Sequence, residues 1–284
     1  MNFQKVSLQP GLYFVGVPIG TARDITLRAL DVLASADVLA AEDTRSLRHL
    51  MDIHAVPLAG RKVIALHDHS KSEVTQRLVA QIGEGRSVAY ASEAGMPLIA
   101  DPGFELSRAA QDAGHSVTCA PGPSAVLTAL VLAGLPTDAF HFCGFLPNAS
   151  AARRRALEGL RDTNATLVFY ESPKRLGAML ADAEAVLGDR SGAVCRELTK
   201  KFEETARGPL SALREQFSNR TVKGEIVVLI DRDRSEKITE TTLEEDLQVA
   251  LAAHSLRDAV DMVARAHDVP RRQVYQLALT VSKA

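Results

Sequence analysis

The chain alternates short apolar runs with amphipathic segments over most of its length. Nine apolar runs, rich in β-branched or aromatic side chains, predict strands over residues 12–16, 38–41, 63–67, 87–91, 117–119, 140–145, 167–170, 193–196 and 225–230. The intervening segments have helical spacing. In DITLRALDVLASA, for example, Leu27, Leu30 and Leu33 recur near the helical period, and Asp24 is the predicted N-cap. This alternation predicts an α/β fold with parallel-rich sheets covered by helices on both faces.

The pattern also divides the chain, because 284 residues is long for a single core. A Gly/Pro break in LAGLP precedes the strand-like segment PTDAFHFCG, and we predict two α/β domains over residues 1–121 and 122–233. After Asp233 no strand pattern follows. TLEEDLQVALAAH, SLRDAVDMVARAHDV and PRRQVYQLALTVSK predict a helical tail over 234–284 whose last two helices are spaced like a helix-turn-helix. A structural cap and an RNA contact are equally open roles for this tail.

Composition excludes several classes of protein. The net charge of −2 argues against a wholly basic nucleic-acid binder, although a local basic patch remains compatible with it. No apolar run approaches the roughly 18 residues of a membrane span, and no secretory signal begins the chain, so a cytoplasmic protein with no membrane contact is expected. Cys119, Cys143 and Cys195 are expected to be buried free thiols. The histidines lack metal-ligand spacing apart from His67 and His69, so no metal site is expected.

Three loops rich in glycine and proline carry the first functional signal. GVPIG (16–20), ASEAGMPLIADPG (91–103) and APGPSAV (120–126) each follow a predicted strand. The carboxyl ends of parallel strands meet at one edge of a sheet, so we expect these loops to converge on one ligand crevice. Ser124 stands at a helix start, where it can act as N-cap and leave neighbouring amides free for an anionic group. GVPIG does not fit the dinucleotide glycine fingerprint, which disfavours hydride chemistry.

A longer set of motifs resembles a known family. GLYFVGVPIG, DITLRALDVL, AEDTR, SEAGMPLIADPG, APGPSAV, YESPKR, RELTK and KGEIVVLI occur in the order found in the tetrapyrrole-methylase superfamily. Within it they are most similar to the ribosomal RNA small-subunit methyltransferase I family, and AEDTR with YESPKR is not the porphyrin-type pattern. Glu93 and Met96 depart from the family's usual Asp and Thr, and GVPIGT replaces a more frequent Ala-Thr-Pro-Ile-Gly-Asn.

The resemblance implies transfer of a methyl group from S-adenosylmethionine to a ribose 2′-oxygen of a cytidine in the decoding region of 16S rRNA. It implies the small ribosomal subunit as partner and a homodimer as the assembly. The cofactor contacts that it implies are Pro18, Ile19, Gly95, Met96, Ile99, Ser124, Ala125, Tyr170, Leu198, Gly224, Glu225 and Ile226. Two alternatives stay open: methylation of a tetrapyrrole or other small molecule, and a non-catalytic RNA-binding assembly factor on the same fold.

Methylation of a hydroxyl group calls for a base or a charge-stabilising group near the acceptor. Carboxylates that follow predicted strands are candidates, as are two cations beside them: Glu42, Asp43, Asp101, Glu171, Glu197, Arg45 and Lys174. Spacing alone does not choose among them. Cations that border the predicted cleft are candidates for the RNA phosphates: Arg45, Arg48, Lys174, Arg175, Arg196, Lys200 and Lys201. Arg153–Arg155 are expected to be solvated surface charges.

Overall fold

Five strands form a fully parallel sheet in the first half of the chain. They are β1 (Gly11–Val15), β2 (Val38–Ala41), β3 (Val63–Ala65), β4 (Ser87–Ala91) and β5 (Val117–Ala120), in the order β3-β2-β4-β1-β5. Because β4, β1 and β5 are neighbours, the three loops that leave their carboxyl ends start side by side. The loop after β2, which begins with Glu42, starts next to them.

The second sheet is mixed. It contains β6 (Phe140–Phe145), β7 (Thr166–Glu171), β8 (Ser191–Arg196), β9 (Glu204–Pro209) and β10 (Ile226–Ile230), in the order β6-β7-β10-β8-β9. Only β6 and β7 pair in parallel; the other three pairs are antiparallel. The α/β class is thus confirmed, and the parallel pattern holds for the first sheet. The connection from β8 to β9 is too short for a crossover helix, so these strands form a hairpin.

The computed structural model describes residues 2–67, 72–218, 220–233, 240–266 and 269–281. The chain divides into two units, Met1–Asp233 and Arg234–Ala284. The predicted boundary at residues 121 and 122 falls inside the first unit, between the two sheets, and stays a prediction. Among the described residues, every helix is too short or too polar to cross a bilayer.

Eight α-helices accompany the two sheets: α1 (Leu27–Ser35), α2 (Thr44–Ile53), α3 (Ser72–Gly83), α4 (Phe104–Asp112), α5 (Ala125–Ala133), α6 (Ser150–Glu158), α7 (Leu176–Leu187) and α8 (Leu210–Ser218). The prediction of Asp24 as the N-cap of α1 is wrong. Asp24 ends a short 3-10 turn, and the Thr26 hydroxyl accepts the Ala29 N–H at 3.1 Å instead. Ser124 caps α5 as predicted, accepting the Leu127 N–H at 3.5 Å.

Helix α5 joins the two halves of the first unit. It follows the last strand of the parallel sheet, yet its buried side chains pack on the second sheet. Ala129 and Leu130 of α5 share an apolar cluster with Val168, Cys195 and Leu229. The carboxyl end of the first sheet is therefore held against the second sheet, which creates a cleft between the two sheets.

The tail unit contains α9 (Glu240–Ala253), α10 (Leu256–Ala266) and α11 (Arg271–Val281), which confirms the three predicted helices. Its apolar core is made by Leu247 of α9, Val260 and Val263 of α10 and Val274 of α11. All three cysteines of the chain are free thiols, as predicted. The expected burial is confirmed for Cys195 but is wrong for Cys119 and Cys143, which are half-buried.

Candidate active site

The three glycine- and proline-rich loops are bonded to one another. Val17 and Gly95 exchange backbone hydrogen bonds of 2.9 and 3.1 Å, which ties the first loop to the second. The Gly16 N–H donates to the Ala120 carbonyl at 2.9 Å, and the Gly122 N–H lies 3.2 Å from the Met96 sulfur. The predicted convergence of the three loops is confirmed.

Backbone conformation explains why this corner needs its unusual composition. A Cβ atom on Gly16 would lie 2.6 Å from the Gly122 nitrogen, so the first and third loops approach as closely as glycine permits. Within the second loop, Gly95, Leu98 and Ala100 all have positive φ, at 70°, 71° and 60°. Left-handed conformations cost about 1–3 kcal/mol each for residues with a side chain, and such strain concentrates at ligand sites.

A cavity of about 430 Å³ opens between this corner and the second sheet, a size typical of small-molecule sites. Its lining includes all but one of the predicted cofactor contacts: Ile19, Gly95, Met96, Ile99, Ser124, Ala125, Tyr170, Leu198, Gly224, Glu225 and Ile226. The exception is Pro18, which lines a neighbouring cavity. Lining residues that the sequence analysis did not assign to the cofactor are Ala94, Ala100, Asp101, Phe145, Glu171, Ser172, Pro173 and Val227.

Tyr170 is the central aromatic side chain of this first cavity. Its ring lies edge-on to Phe142 and Phe145, with centroids 4.9 and 5.7 Å away. Burial, together with the negative charges of Asp101 and Glu225, raises the pKa of Tyr170 to about 12. The phenol is therefore a neutral hydrogen-bond donor, not a base.

The second cavity, of about 360 Å³, adjoins the first. Ile19, Ala94, Asp101 and Glu225 line both, so they mark the junction. The walls that belong to the second cavity alone are more polar and include Glu42, Glu93 and Ser46, with Lys200 on the side of the second sheet. The two cavities form one cleft with a largely apolar chamber and a charged chamber.

Asp43 is committed to the fold. Its carboxylate caps α2 by accepting the backbone N–H groups of Arg45 and Ser46, at 2.7 and 3.3 Å, and it forms an ion pair of 2.8 Å with the Arg45 guanidinium. The hydrogen bonds from Arg45 hold the pKa of Asp43 well below its ordinary value. Such a carboxylate is a poor proton acceptor.

Glu197 is similarly engaged. Burial alone would raise its pKa, but the Glu225 backbone N–H at 3.1 Å and the Lys200 ammonium at 3.0 Å outweigh burial and lower the pKa below its ordinary value. Glu197 has a positive φ of 52° and lies against Gly224, where a Cβ atom would approach the Glu197 carboxyl carbon to 2.3 Å. We assign it to holding the wall of the cavity.

Glu171 belongs to the opposite face of the second sheet. Side chains alternate along β7, so Glu171 lies on the face of Leu167 and Phe169, whereas Tyr170 faces the cavity. The Glu171 carboxylate accepts the Ser172 N–H at 2.7 Å and lies 3.1 Å from the Arg175 guanidinium. Burial raises its pKa. The residue contributes to the lining of the first cavity, but its carboxylate is held on the opposite face of the sheet by Ser172 and Arg175.

Glu42 has a different environment from these three. One of its carboxylate oxygens accepts the Glu93 backbone N–H at 3.1 Å, which orients it within the second cavity. Glu42 and Asp101 are thus the base candidates whose residues line the charged chamber.

The predicted RNA-binding cations fall into two groups. Arg175 donates to the Leu146 carbonyl and pairs with Glu171, Arg196 lies 2.9 Å from Glu204, and Lys200 lies 2.7 Å from Glu225. The exposed cations are Arg45, Arg48, Lys174 and Lys201; Arg45 is paired with Asp43 but 87% exposed. Lys174 lines neither cavity.

The expectation that Arg153–Arg155 are all solvated surface charges is wrong for Arg153. Its side chain is 5% exposed and lies 2.6 Å from the equally buried Asp182 carboxylate. The Ser150 hydroxyl and Arg154 also donate to Asp182. This group fastens α6 to α7.

Within the described part of the chain no cluster of three or more His, Cys, Asp or Glu could hold a metal ion; His69 lies outside it.

Comparison with known proteins identifies the fold and the family. A family profile described as tetrapyrrole (corrin/porphyrin) methylases matches residues 11–214, and one described as the RsmI C-terminal HTH domain matches residues 238–282. A protein of Halalkalibacterium halodurans named ribosomal RNA small subunit methyltransferase I is 40% identical over 97% of both chains. A protein of the same name from Mesorhizobium japonicum is 48% identical over 78% of this chain and 76% of its own.

The chain belongs to the ribosomal RNA small subunit methyltransferase I family of tetrapyrrole methylases. Its architecture agrees with a solved tetrapyrrole-methylase structure, the methyltransferase CobJ, with a TM-score of 0.61 at 18% identity over 81% of this chain and 97% of that one. Members of this family use S-adenosylmethionine, so the chain is a methyltransferase with this methyl donor.

The first cavity suits the donor of this family. Its lining includes Ile19, Ile226, Tyr170 and several residues of the 91–103 loop, a largely apolar set that fits an adenosyl group. Asp101 and Glu225 at the junction offer carboxylates to the amino or hydroxyl groups of the ligand. The close approach of Gly16 and Gly122 leaves no room for a side chain at either of these positions.

Proposed function

We propose that this chain transfers a methyl group from S-adenosylmethionine to a ribose 2′-oxygen of 16S rRNA in the small ribosomal subunit, at a cytidine of the decoding region. The observation that carries the proposal is the cleft with two chambers. A small-molecule cavity built from both sheets adjoins a charged cavity that a nucleotide can reach from outside. Relatives named for this activity align with nearly the whole chain, which supports the choice of acceptor.

The reaction depends more on the alignment of donor and acceptor than on catalytic groups of the protein. S-adenosylmethionine supplies a methyl group that is already activated by its positive sulfur. The chain contributes a fixed position for the donor, through loops bonded to one another, and a second chamber in which the acceptor oxygen can be held in line at about 3 Å.

We assign the acceptor oxygen to the junction of the two chambers. Asp101 lines both cavities, and Glu42 lines the charged one with its carboxylate oriented by the Glu93 N–H. A carboxylate in this position can orient the 2′-hydroxyl and accept its proton as the methyl group transfers. Asp43 and Glu197 do not suit this role, because both are held by cations and backbone N–H groups.

A deletion strain tests the acceptor. Mass spectrometry of 16S rRNA should show the loss of one ribose methyl group at a decoding-region cytidine, restored by the wild-type gene. Glu42→Gln and Asp101→Asn should restore it poorly if either carboxylate accepts the proton. Unchanged ribose methylation at that nucleotide in the deletion strain would exclude the proposed acceptor.

Methylation assays and calorimetry with purified protein distinguish the proposed function from the two alternatives. A small-molecule methylase would methylate a tetrapyrrole but not small subunits, and an assembly factor without catalysis would bind subunits but not S-adenosylmethionine.

We also propose that the protein acts as a homodimer in the cytoplasm, where its subunit substrate is found. Sedimentation of the purified protein at micromolar concentration tests the dimer.

A further inference from the structure

Phe202 is an aromatic side chain that neither the fold nor the cavities use. It is 63% exposed, and it lies on the connection between β8 and β9, residues 197–203. Lys200 of the same connection lines the charged chamber, so Phe202 stands two residues from the wall of the cleft. A single exposed apolar side chain is common on protein surfaces, so a binding role for this ring has to follow from its surroundings.

The connection that carries Phe202 is held in one conformation. Glu197 and Thr199 have positive φ values of 52° and 63°, and the Glu203 carboxylate accepts the Thr199 N–H at 2.6 Å. The Thr21 N–H donates to the Thr199 hydroxyl at 3.1 Å, which joins the connection to the first glycine-rich loop. Exposure of the Phe202 ring is therefore a feature of an ordered loop.

The charges around Phe202 suit a polyanion. The ammonium of Lys201 lies 5.5 Å from the centre of the Phe202 ring, and among the described residues it has no carboxylate within ion-pair distance. The nearby acids are engaged elsewhere: Glu203 holds Thr199, and Glu204 is paired with Arg196 and Arg220. An exposed ring with a neighbouring cation matches the way proteins bind single-stranded nucleic acid, by stacking a base and contacting a phosphate.

We propose that Phe202 stacks on an unpaired base of the RNA beside the target nucleotide, while Lys201 contacts the backbone phosphate. This inference rests on the proposed function and adds a positioning residue to it. Sequence-specific recognition of RNA targets unpaired nucleotides whose bases are unstacked, and we take the acceptor ribose to enter the charged chamber from such a segment. The Phe202 ring offsets the loss of base stacking by stacking on a neighbouring base, and this contact fixes the register of the RNA strand.

The test compares Phe202→Ala with Phe202→Trp, Phe202→Leu and the control Phe140→Ala in the full-length enzyme, using purified small subunits as substrate. Phe140 is 44% exposed and starts β6, about 17 Å along the strand from the Phe145 end that reaches the cavity. Stacking predicts that Phe202→Ala raises the KM for subunits by roughly 5- to 150-fold. Affinity for S-adenosylmethionine by calorimetry should not change, and Phe140→Ala should behave as wild type.

The chemistry of the substitutes separates stacking from simple hydrophobic contact. Trp should retain tight binding and Leu should not, although both are apolar. The salt dependence separates the two residues: Lys201→Ala should lower the slope of log affinity against log salt by about one, and Phe202→Ala should leave it unchanged.

Three results would overturn the inference: an unchanged KM in Phe202→Ala, full activity in Phe202→Leu, or a conversion of dimer to monomer on sedimentation, which would assign the ring to a protomer interface. If wild-type protein fails to methylate subunits, the proposed function itself fails, and this is distinct from a wild-type enzyme that is active and indifferent to Phe202.

Discussion

Replacing Gly16 by alanine tests whether the joined loops form the donor site. The new Cβ atom would lie 2.6 Å from the Gly122 nitrogen and 2.8 Å from both the Gly122 Cα atom and the Met96 sulfur, whereas ordinary contacts begin at 3.4 Å. Two of these three neighbours are backbone atoms, so no side-chain rotation relieves the overlap. The first and third loops must separate by about 0.8 Å.

The size of the effect follows from this separation. Overpacking of this kind costs about 1–3 kcal/mol in free energy of unfolding, which corresponds to a melting temperature lowered by about 2–12 °C for a unit of this size. The Gly16 N–H to Ala120 bond of 2.9 Å and the Gly122 N–H contact with Met96 are lost or lengthened. Since Met96 and Gly95 line the donor cavity, we expect the affinity for S-adenosylmethionine to fall at least tenfold, about 1.4 kcal/mol.

Calorimetric titration with S-adenosylmethionine, together with thermal unfolding, measures both quantities. Gly177→Ala is the matched control, because a Cβ atom there meets nothing within 4 Å and Gly177 lies in α7; it should be neutral or stabilising by up to about 1 kcal/mol. Gly122→Ala should resemble Gly16→Ala, and the double variant should cost less than the sum of the two, because both create the same overlap. Gly16→Ala with wild-type donor affinity would refute the assignment of this corner to the donor.

Three further predictions concern ionisable groups. Because the pKa of Tyr170 is raised to about 12, its phenol stays protonated in ordinary assays, and the pH–rate profile of Tyr170→Phe should keep the wild-type shape; an alkaline limb lost in this variant would contradict the reasoning. Asp182→Ala leaves the buried Arg153 without its partner and should cost about 3–5 kcal/mol in urea unfolding. Burial opposes ionisation of Asp182, but hydrogen bonds from Arg154, Arg153 and Ser150 outweigh burial and lower the pKa of Asp182 from 3.8. The ionised Asp182 therefore stabilises the fold fully above pH 3.8. This stabilisation is lost as the pH falls through the lower pKa of the folded state. Asp43→Ser preserves an N-cap and should keep most of the turnover measured with subunits, whereas a large loss of kcat without loss of stability would restore Asp43 as a catalytic group.

The sequence predicted the convergence of the three loops well because its signals are local. Each glycine- and proline-rich loop directly follows an apolar run, and parallel strands place such loops on one edge whatever the details of packing. The contacts implied by the family motifs accordingly line the cavity, with Pro18 displaced into the neighbouring chamber. Phe145 was missed because it ends a strand outside these loops and reaches the cavity only through the fold.

Long-range pairing was not readable in the same way. Strand β9, with the sequence ETARGP, pairs only with β8 at the sheet edge and has no apolar alternation, so no strand was predicted there. The antiparallel position of β10 between β7 and β8 depends on contacts between distant segments. The orientation of Glu171 could have been predicted from the sequence. Side chains alternate along a strand, so once Tyr170 is assigned to the cavity, the next side chain lies on the opposite face.

The charges along the chain overstate what is available to RNA. Lys200 lines the charged chamber, whereas Arg175 and Arg196 line neither cavity. The partners of these three cations, Glu171, Glu204 and Glu225, lie within the second sheet or its loops. Breaking the Arg175 pair to bind a phosphate would leave the buried Glu171 carboxylate without this cation. Under the proposed function, the phosphate contacts are expected from the exposed cations Arg45, Arg48, Lys174 and Lys201. A few exposed cations give only modest affinity at physiological salt, so tight binding by a chain of net charge −2 needs a contribution that salt does not screen, and an exposed ring at the rim is one such contribution.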